Sequence, residues 1–250
     1  MSENFLDNSW LLSGGSDFFT GFCKSLVVIL VTEIGDKTFF IAAVLAMRHG
    51  RLVVYAGAMM ALGLMHILSS FMGFALPSIL PRSYTHIASA LLFLYFGVRL
   101  LKDAYEMDDG PSDELQEVEE ELINKKEGVG AEEDLLQQIE EGDIKNKNSS
   151  IFLSVSKTEN VKVFTQAFTL TFLAEWGDRS QIATVALAAS KNILGVIIGG
   201  LIGHAFCTGL AVLGGKMLAA SISERTVSII GGVLFLVFAV HSFITGPNSA

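Results

Sequence analysis

The chain has 250 residues, of which 51% are hydrophobic and 17% charged, and its formal net charge is −9. A mean hydropathy of +0.51 is too apolar for an ordinary soluble domain. The Lys and Arg residues stand singly instead of forming a basic surface, which argues against a nucleic-acid partner. The two cysteines, Cys23 and Cys207, lie in or beside apolar segments and do not indicate a disulfide framework.

Six apolar segments each have about the length that crosses a bilayer as a helix, roughly 20 residues. In chain order they cover residues 20–47, 53–76, 84–103, 163–189, 193–217 and 226–246. We therefore predict an all-α membrane protein with six transmembrane helices. Residues 1–16 lack the basic and apolar regions of a cleavable signal peptide, so the first span is expected to act as its own targeting signal.

The second half of the chain repeats the first at an offset of 142 residues, without a gap from Phe22 and Phe164 to Val98 and Val240. Three spans per repeat place the two ends of a repeat on opposite sides of the membrane, so the second copy must be inverted. Inverted three-helix repeats recur in secondary transporters, whose substrate site lies near the bilayer midplane. The predicted organisation is an N-terminal segment at 1–19, repeats at 20–103 and 161–246, a linker at 104–160 and a tail at 247–250.

The basic residues near the span ends are distributed unequally between the two sides. One side carries Arg48, Arg51, Arg99, Lys102, Lys157, Lys162, Lys216 and Arg225, and the other carries Lys24, Arg82 and Lys191. The first side is expected to be cytosolic. It also holds the linker 104–160, so both termini are expected to be lumenal or extracellular.

The linker 104–160 contains 17 of the 26 Asp and Glu residues and explains the negative net charge. Its composition is typical of a solvated tether. Leu115, Val118 and Leu122 have the spacing of a short amphipathic helix around residues 112–126. A role in collecting cations or in regulation is the alternative to a simple tether.

Two copies of one polar motif lie at the centres of the first and fourth predicted spans. They read Glu33-Ile34-Gly35-Asp36-Lys37-Thr38 and Glu175-Trp176-Gly177-Asp178-Arg179-Ser180. An ionised side chain at the bilayer centre costs roughly 2.5–3.5 kcal/mol on insertion scales. The charges of the motifs must therefore be compensated or bind something.

The predicted metal ligands are the four acids Glu33, Asp36, Glu175 and Asp178. On a helix the two acids of each motif share a face, and inverted repeats bring the two faces together. Four carboxylates in a dry interior cannot all stay ionised without cations or protons. Their oxygens suit Ca²⁺, Mn²⁺ or Mg²⁺, whereas softer metals favour Cys or clustered His.

Further side chains are expected to support this site. The added oxygen donors are Thr38, Ser180 and Gln181, the basic residues are Lys37 and Arg179, the glycines that could break the helices are Gly35 and Gly177, and the histidines are His66 and His204. The basic residues could pair with the acids when the ion is absent and move aside when it binds. The histidines fall on equivalent faces of spans two and five and could relay protons, although packing is the commoner role of a membrane histidine.

A structural explanation of the motifs is also open. Glu33 and Lys37 are four residues apart, as are Glu175 and Arg179, which is the spacing of an intrahelical ion pair. Such pairs leave one aspartate per motif uncompensated. Enzyme activity is not expected, because the chain lacks the Gly-x-Gly-Asp word of intramembrane aspartyl proteases, the His-Glu-x-x-His word of zinc proteases and a phosphate-binding loop.

Four segments resemble the transmembrane protein 165 family (uncharacterised protein family 0016), particularly its Golgi members: EIGDKTFFIAAVLAMRHGRL, TLTFLAEWGDRSQIATVALAA, GHAFCTGLAVLGGKM and RTVSIIGGVLFLVFA. The family signature, Glu-x-Gly-Asp-Lys/Arg-Thr/Ser, occurs in both halves. The resemblance implies a Golgi antiporter that brings Mn²⁺ and Ca²⁺ from the cytosol into the lumen in exchange for protons and supports Mn²⁺-dependent glycosyltransferases. It also implies that the four acids bind the metal.

The expected partners are membrane lipid and divalent cations, with no bound cofactor; a homo-oligomer is left open. A cation channel or uncoupled facilitator would also need acids in its pore, but it would move metal without a counter-flow of protons. A scaffold protein would tolerate neutral replacements of the motif acids.

Overall fold

The computed structural model describes residues 9–79, 81–107, 115–120, 122, 150–219 and 223–245. Within these ranges the helices are α1 (Ser9–Glu33), α2 (Lys37–Arg48), α3 (Arg51–Ile79), α4 (Arg82–Glu106), α5 (Ser150–Glu175), α6 (Arg179–Ser190), α7 (Ile193–Ala219) and α8 (Glu224–Thr245). The described residues contain no strand, which agrees with the all-α prediction. The predicted tail 247–250 and much of the linker lie outside the described residues.

Among the described residues, four helices are long and apolar enough to cross a membrane. They are Arg51–Ile79, Ser83–Glu106, Ile193–Gly215 and Arg225–Thr245, within α3, α4, α7 and α8. Their length and composition are those of a membrane protein.

The structure differs from six continuous helices at the first and fourth predicted spans. Residues 20–47 are divided between α1 and α2, and residues 163–189 between α5 and α6, with three non-helical residues at each break. The reason is local, because Gly35 has φ 79° and Gly177 has φ 82°, values that interrupt an α-helix and that glycine adopts without strain. The helix α5 also begins at Ser150, inside the segment predicted to be a linker.

The helices of the two halves interlock instead of forming two separate bundles. The helix α1 packs against α7, and α5, which is the equivalent of α1 in the second half, packs against α3. In addition, α3 packs against α7, and α4 packs against α8. A buried hydrogen bond joins the halves, because the Ser25 hydroxyl donates to the Val196 carbonyl at 2.8 Å.

Two glycines allow equivalent close contacts between helix backbones. A Cβ atom at Gly57 of α3 would meet the carbonyl oxygen of Phe164 in α5, and one at Gly199 of α7 would meet the carbonyl oxygen of Phe22 in α1. The two contacts are equivalent, because Gly57 corresponds to Gly199, and Phe22 to Phe164, at the offset of 142 residues between the halves. Small residues at such positions let membrane helices approach closely.

The apolar core forms two clusters, one around α2 and one around α6. Around α6 the cluster is completed by α4 and α8, through residues that include Phe93, Phe96 and Phe235. Around α2 it includes Leu115, Val118 and Leu122 of the linker. Residues 115–120 are helical, so the predicted amphipathic helix is confirmed for this stretch.

Replacing Gly199 with alanine is expected to destabilise the protein by about 1–3 kcal/mol, because the new methyl group would collide with the backbone of α1. The measurement is the apparent melting temperature of the purified protein in detergent. Gly209→Ala on the same helix is the control, since the nearest atom to its Cβ would be a Tyr55 ring carbon at 3.9 Å. Equal effects of the two changes would contradict the proposed close contact.

Candidate cation site

The two helix breaks position the motif acids at helix ends. Glu33 and Glu175 are the last residues of α1 and α5, and Asp36 and Asp178 immediately precede α2 and α6. Both aspartates have extended backbones, with ψ 167° and 164°. The Asp178 carboxylate caps its own helix by accepting a hydrogen bond from the Ser180 N–H at 3.0 Å.

Three of the acids form one cluster across the two halves of the chain. Carboxylate oxygens of Glu33, Glu175 and Asp178 lie within 4.8 Å of one another. Glu33 and Glu175 are each only 2% exposed. The fourth acid, Asp36, accepts a hydrogen bond from Arg179 Nη2 at 3.2 Å, which links it to the residue next to Asp178.

Each buried glutamate is held by one hydroxyl group. Thr38 Oγ1 donates to Glu33 Oε2 at 3.3 Å, and Ser180 Oγ donates to Glu175 Oε1 at 2.5 Å. Glu33 Oε1 and Glu175 Oε2 are buried and have no hydrogen-bond partner in the part of the chain that the structure describes. A buried polar atom without a partner costs roughly 1–3 kcal/mol, and more when it is charged. These two oxygens are therefore where the site can accept a cation or a proton.

The intrahelical ion pairs considered from the sequence do not form, because each helix ends before the basic residue. Arg179 instead pairs with Asp36 of the other half, as given above, and Lys37 Nζ lies 3.1 Å from Glu117 Oε1 of the linker. Gln181 also has a different contact from the expected one. Its side-chain oxygen accepts a hydrogen bond from the Gly177 N–H at 2.8 Å, so it stabilises the second break.

The two histidines lie together beside the acids. Their ring centroids are 5.3 Å apart, and His204 Nδ1 lies 3.7 Å from Glu33 Oε2. His66 Nε2 lies 3.1 Å from the Val196 carbonyl oxygen and can donate a hydrogen bond to it, while His66 Nδ1 lies 3.4 Å from the Thr184 hydroxyl. Glu33, both rings and Thr184 are thus buried neighbours, although His204 Nδ1 has no hydrogen-bond partner among the described residues.

Three polar residues near the site were not identified from the sequence. Thr184 and Thr171 are buried, and Thr171 Oγ1 has no hydrogen-bond partner among the described residues. Each stands four residues from a motif residue, Ser180 and Glu175 respectively, and helical spacing could have indicated both. The contact of Glu117 with Lys37 has no such local signal, because 80 residues separate them.

The family described as divalent cation/proton antiporter GDT1 matches this chain twice, at residues 21–108 and 163–250. These two ranges are related by the same offset as the two motifs, and they confirm the family resemblance inferred from the sequence.

Several plant proteins are similar over most of their length. GDT1-like protein 3 of rice (Oryza sativa subsp. indica) is 46% identical over 235 residues, covering 93% of this chain and 77% of the relative. GDT1-like protein 5 of Arabidopsis thaliana is 44% identical over 225 residues, covering 90% of this chain and 96% of the relative. No solved structure shows a significant match. With both halves matched, this chain belongs to the GDT1 family of divalent cation/proton antiporters, and is a transporter rather than an enzyme.

Proposed function

We propose that the chain exchanges Mn²⁺ and Ca²⁺ for protons at a site made by Glu33, Asp36, Glu175 and Asp178. The observation that carries the proposal is the pair of buried glutamate oxygens, one from each half, that have no hydrogen-bond partner among the described residues. With Asp178 they belong to a cluster compact enough to share one ion. Carboxylate and hydroxyl oxygens are the ligands that hard divalent cations prefer.

Competition between metal and protons couples the two fluxes. A carboxylate must lose its proton to bind a metal, so metal binding releases protons from the site. When neither is bound, several buried carboxylates would be left charged near one another, which is unfavourable. The protein therefore crosses between its two open states with metal or with protons bound, and this requirement makes the exchange obligatory. His66 and His204, which lie beside Glu33, are proposed to pass protons to and from it.

Alternating access is proposed to follow from two inverted repeats, α1–α4 and α5–α8. The surroundings of the two helix breaks support this. At the first break Gly35 and Asp36 are buried, whereas at the second Trp176 is 65% exposed. Gly231 of α8 lies against Val31 of α1 near the first break. In a transporter whose repeats rock against each other, each of the two states places the two equivalent motifs in unequal surroundings.

The proposed direction is from the cytosol into the Golgi lumen. The distribution of Lys and Arg supports a cytosolic linker and lumenal termini, and the family resemblance supports the Golgi compartment. An acidic lumen would load the site with protons and displace the metal there. The imported Mn²⁺ would supply Mn²⁺-dependent glycosylation, and removal of both ions from the cytosol would contribute to ion homeostasis.

Neutralising the two glutamates together, Glu33→Gln with Glu175→Gln, is expected to abolish uptake of Mn²⁺ and Ca²⁺ into vesicles that contain the purified protein and have an acidic interior. The matched control is Glu106→Gln, which removes an exposed acid at the end of α4 and should leave uptake unchanged. Uptake that survives the double change would refute the proposed site.

Removing one supporting hydroxyl, Ser180→Ala, is expected to weaken metal binding by roughly 10- to 100-fold, because groups that orient metal ligands typically have effects of this size. The measurement is the apparent KM for Mn²⁺ uptake. Ser190→Ala is the control on the same helix, since that hydroxyl donates to the Ala186 carbonyl away from the acids. If Ser180→Ala and Ser190→Ala have the same apparent KM for Mn²⁺ uptake, the role assigned to Ser180 is wrong.

The alternative function, a cation channel or uncoupled facilitator, is distinguished by proton movement. For an antiporter, adding Mn²⁺ to the outside of loaded vesicles should drive protons outward, and acidifying the metal side should raise the apparent KM because protons compete for the same carboxylates. A pH indicator inside the vesicles measures both effects. Metal uptake without proton efflux in a voltage-clamped vesicle would favour the channel.

A further inference from the structure

A short part of the acidic linker is folded onto the transport core. Leu115, Val118 and Leu122 are between 1% and 5% exposed and belong to the apolar cluster around α2. Glu117 and Glu120, on the opposite face of this stretch, are exposed. Residues 115–120 and 122, which we call the docking segment, are therefore attached to the helix that begins beside Asp36, and do more than connect the two halves.

An ion pair joins the docking segment to the polar end of α2. Glu117 Oε1 lies 3.1 Å from Lys37 Nζ, and Lys37 is the first residue of α2, directly after Asp36. The pair is partly exposed, with 31% of the Lys37 side chain and 66% of the Glu117 side chain accessible. A partly exposed pair of this kind has little strength of its own. The position of Glu117 is instead set by the buried apolar residues on either side of it.

The equivalent basic residue of the second half has a different partner. Arg179 occupies the position of Lys37 in the second motif, and its guanidinium contacts Asp36 at the acidic site. In place of a docking segment, α6 is covered by α4 and α8. The guanidinium of Arg179 in the second motif thus pairs with Asp36 of the site. The ammonium of Lys37 in the first motif contacts Glu117 of the linker.

We propose that Glu117 is a positioning residue, which keeps the Lys37 ammonium away from the four acids and thereby sets the affinity of the site for its cation. Lys37 adjoins Asp36 in the chain and has a long flexible side chain. Without the Glu117 carboxylate this contact is lost, and the ammonium, tethered beside Asp36, has a high effective concentration at the carboxylates. It then competes with the transported metal. This inference rests on the proposed function of the acids.

The docking of the segment and the affinity of the site are consequently coupled. Any change that lifts Leu115, Val118 and Leu122 from α2 also removes Glu117 from Lys37. Through Glu117 the linker then influences cation binding without contributing a ligand to the ion.

The test compares two charge-neutralising changes on the docking segment. Glu117→Gln is expected to raise the apparent KM for Mn²⁺ uptake about two- to fivefold, the range that corresponds to an exposed ion pair, with kcat unchanged. Glu120→Gln removes the same charge from the same exposed face and should leave KM unchanged. Equal increases for both variants would overturn the proposal, since they would reflect the general charge of the segment.

A change at Lys37 separates positioning from structural effects. In a Lys37→Gln background, Glu117→Gln should no longer alter KM, because no ammonium is left to compete. Val118→Asp, which lifts the segment by another route, should raise KM in the parent protein and not in the Lys37→Gln background. An increase that persists without the lysine would overturn the inference.

A binding measurement makes the result independent of turnover. Mn²⁺-dependent thermal stabilisation of the detergent-purified variants should show the same shift in half-saturating concentration as the KM values. If Glu117→Gln shifts neither quantity while Glu33→Gln with Glu175→Gln abolishes uptake, the inference fails and the proposed function stands. If the double glutamine variant still transports, the proposed function itself fails.

Discussion

The burial of two glutamates, one from each half of the chain, is the constraint on which the site depends. Glu33 and Glu175 each end a helix, each accept one hydroxyl hydrogen bond, and each retain one buried oxygen without a partner among the described residues. Such an arrangement is unfavourable in a folded interior unless an ion or proton completes it. The helix breaks put both glutamates at helix ends, and the hydroxyls of α2 and α6 hold the opposite oxygen of each carboxylate.

The two halves carry equivalent residues in unequal surroundings. Aromatic residues of α4 and α8 cover α6, whereas α2 is covered in part by a short segment of the linker. Arg179 of the second motif contacts Asp36 of the site, and Lys37 of the first motif contacts Glu117 of the linker. The similarity of the halves therefore supplies the paired acids, and their different packing distinguishes the two sides of the site.

The sequence was sufficient to predict the convergence of the acids, because a gapless repeat aligned two motifs that have no place in an apolar span unless they act together. It also indicated that Gly35 and Gly177 could break the helices. Treating the motifs as helical, however, led to intrahelical ion pairs, which a positive φ at both glycines prevents. The partners of Arg179 and Lys37 could not be predicted, since each lies far away in the chain and no local spacing reports it.

The interlocking of the halves also constrains how the protein is made. Ser25 of α1 bonds to Val196 of α7, 171 residues later, and Gly199 of α7 closes on Phe22 of α1. Contacts of such long sequence separation form late, and until then transiently exposed surfaces are prone to misassembly. The first motif is thus synthesised well before the helices that enclose it. Burial of Glu33 at the end of α1 therefore waits until α7 has been synthesised and packed against it.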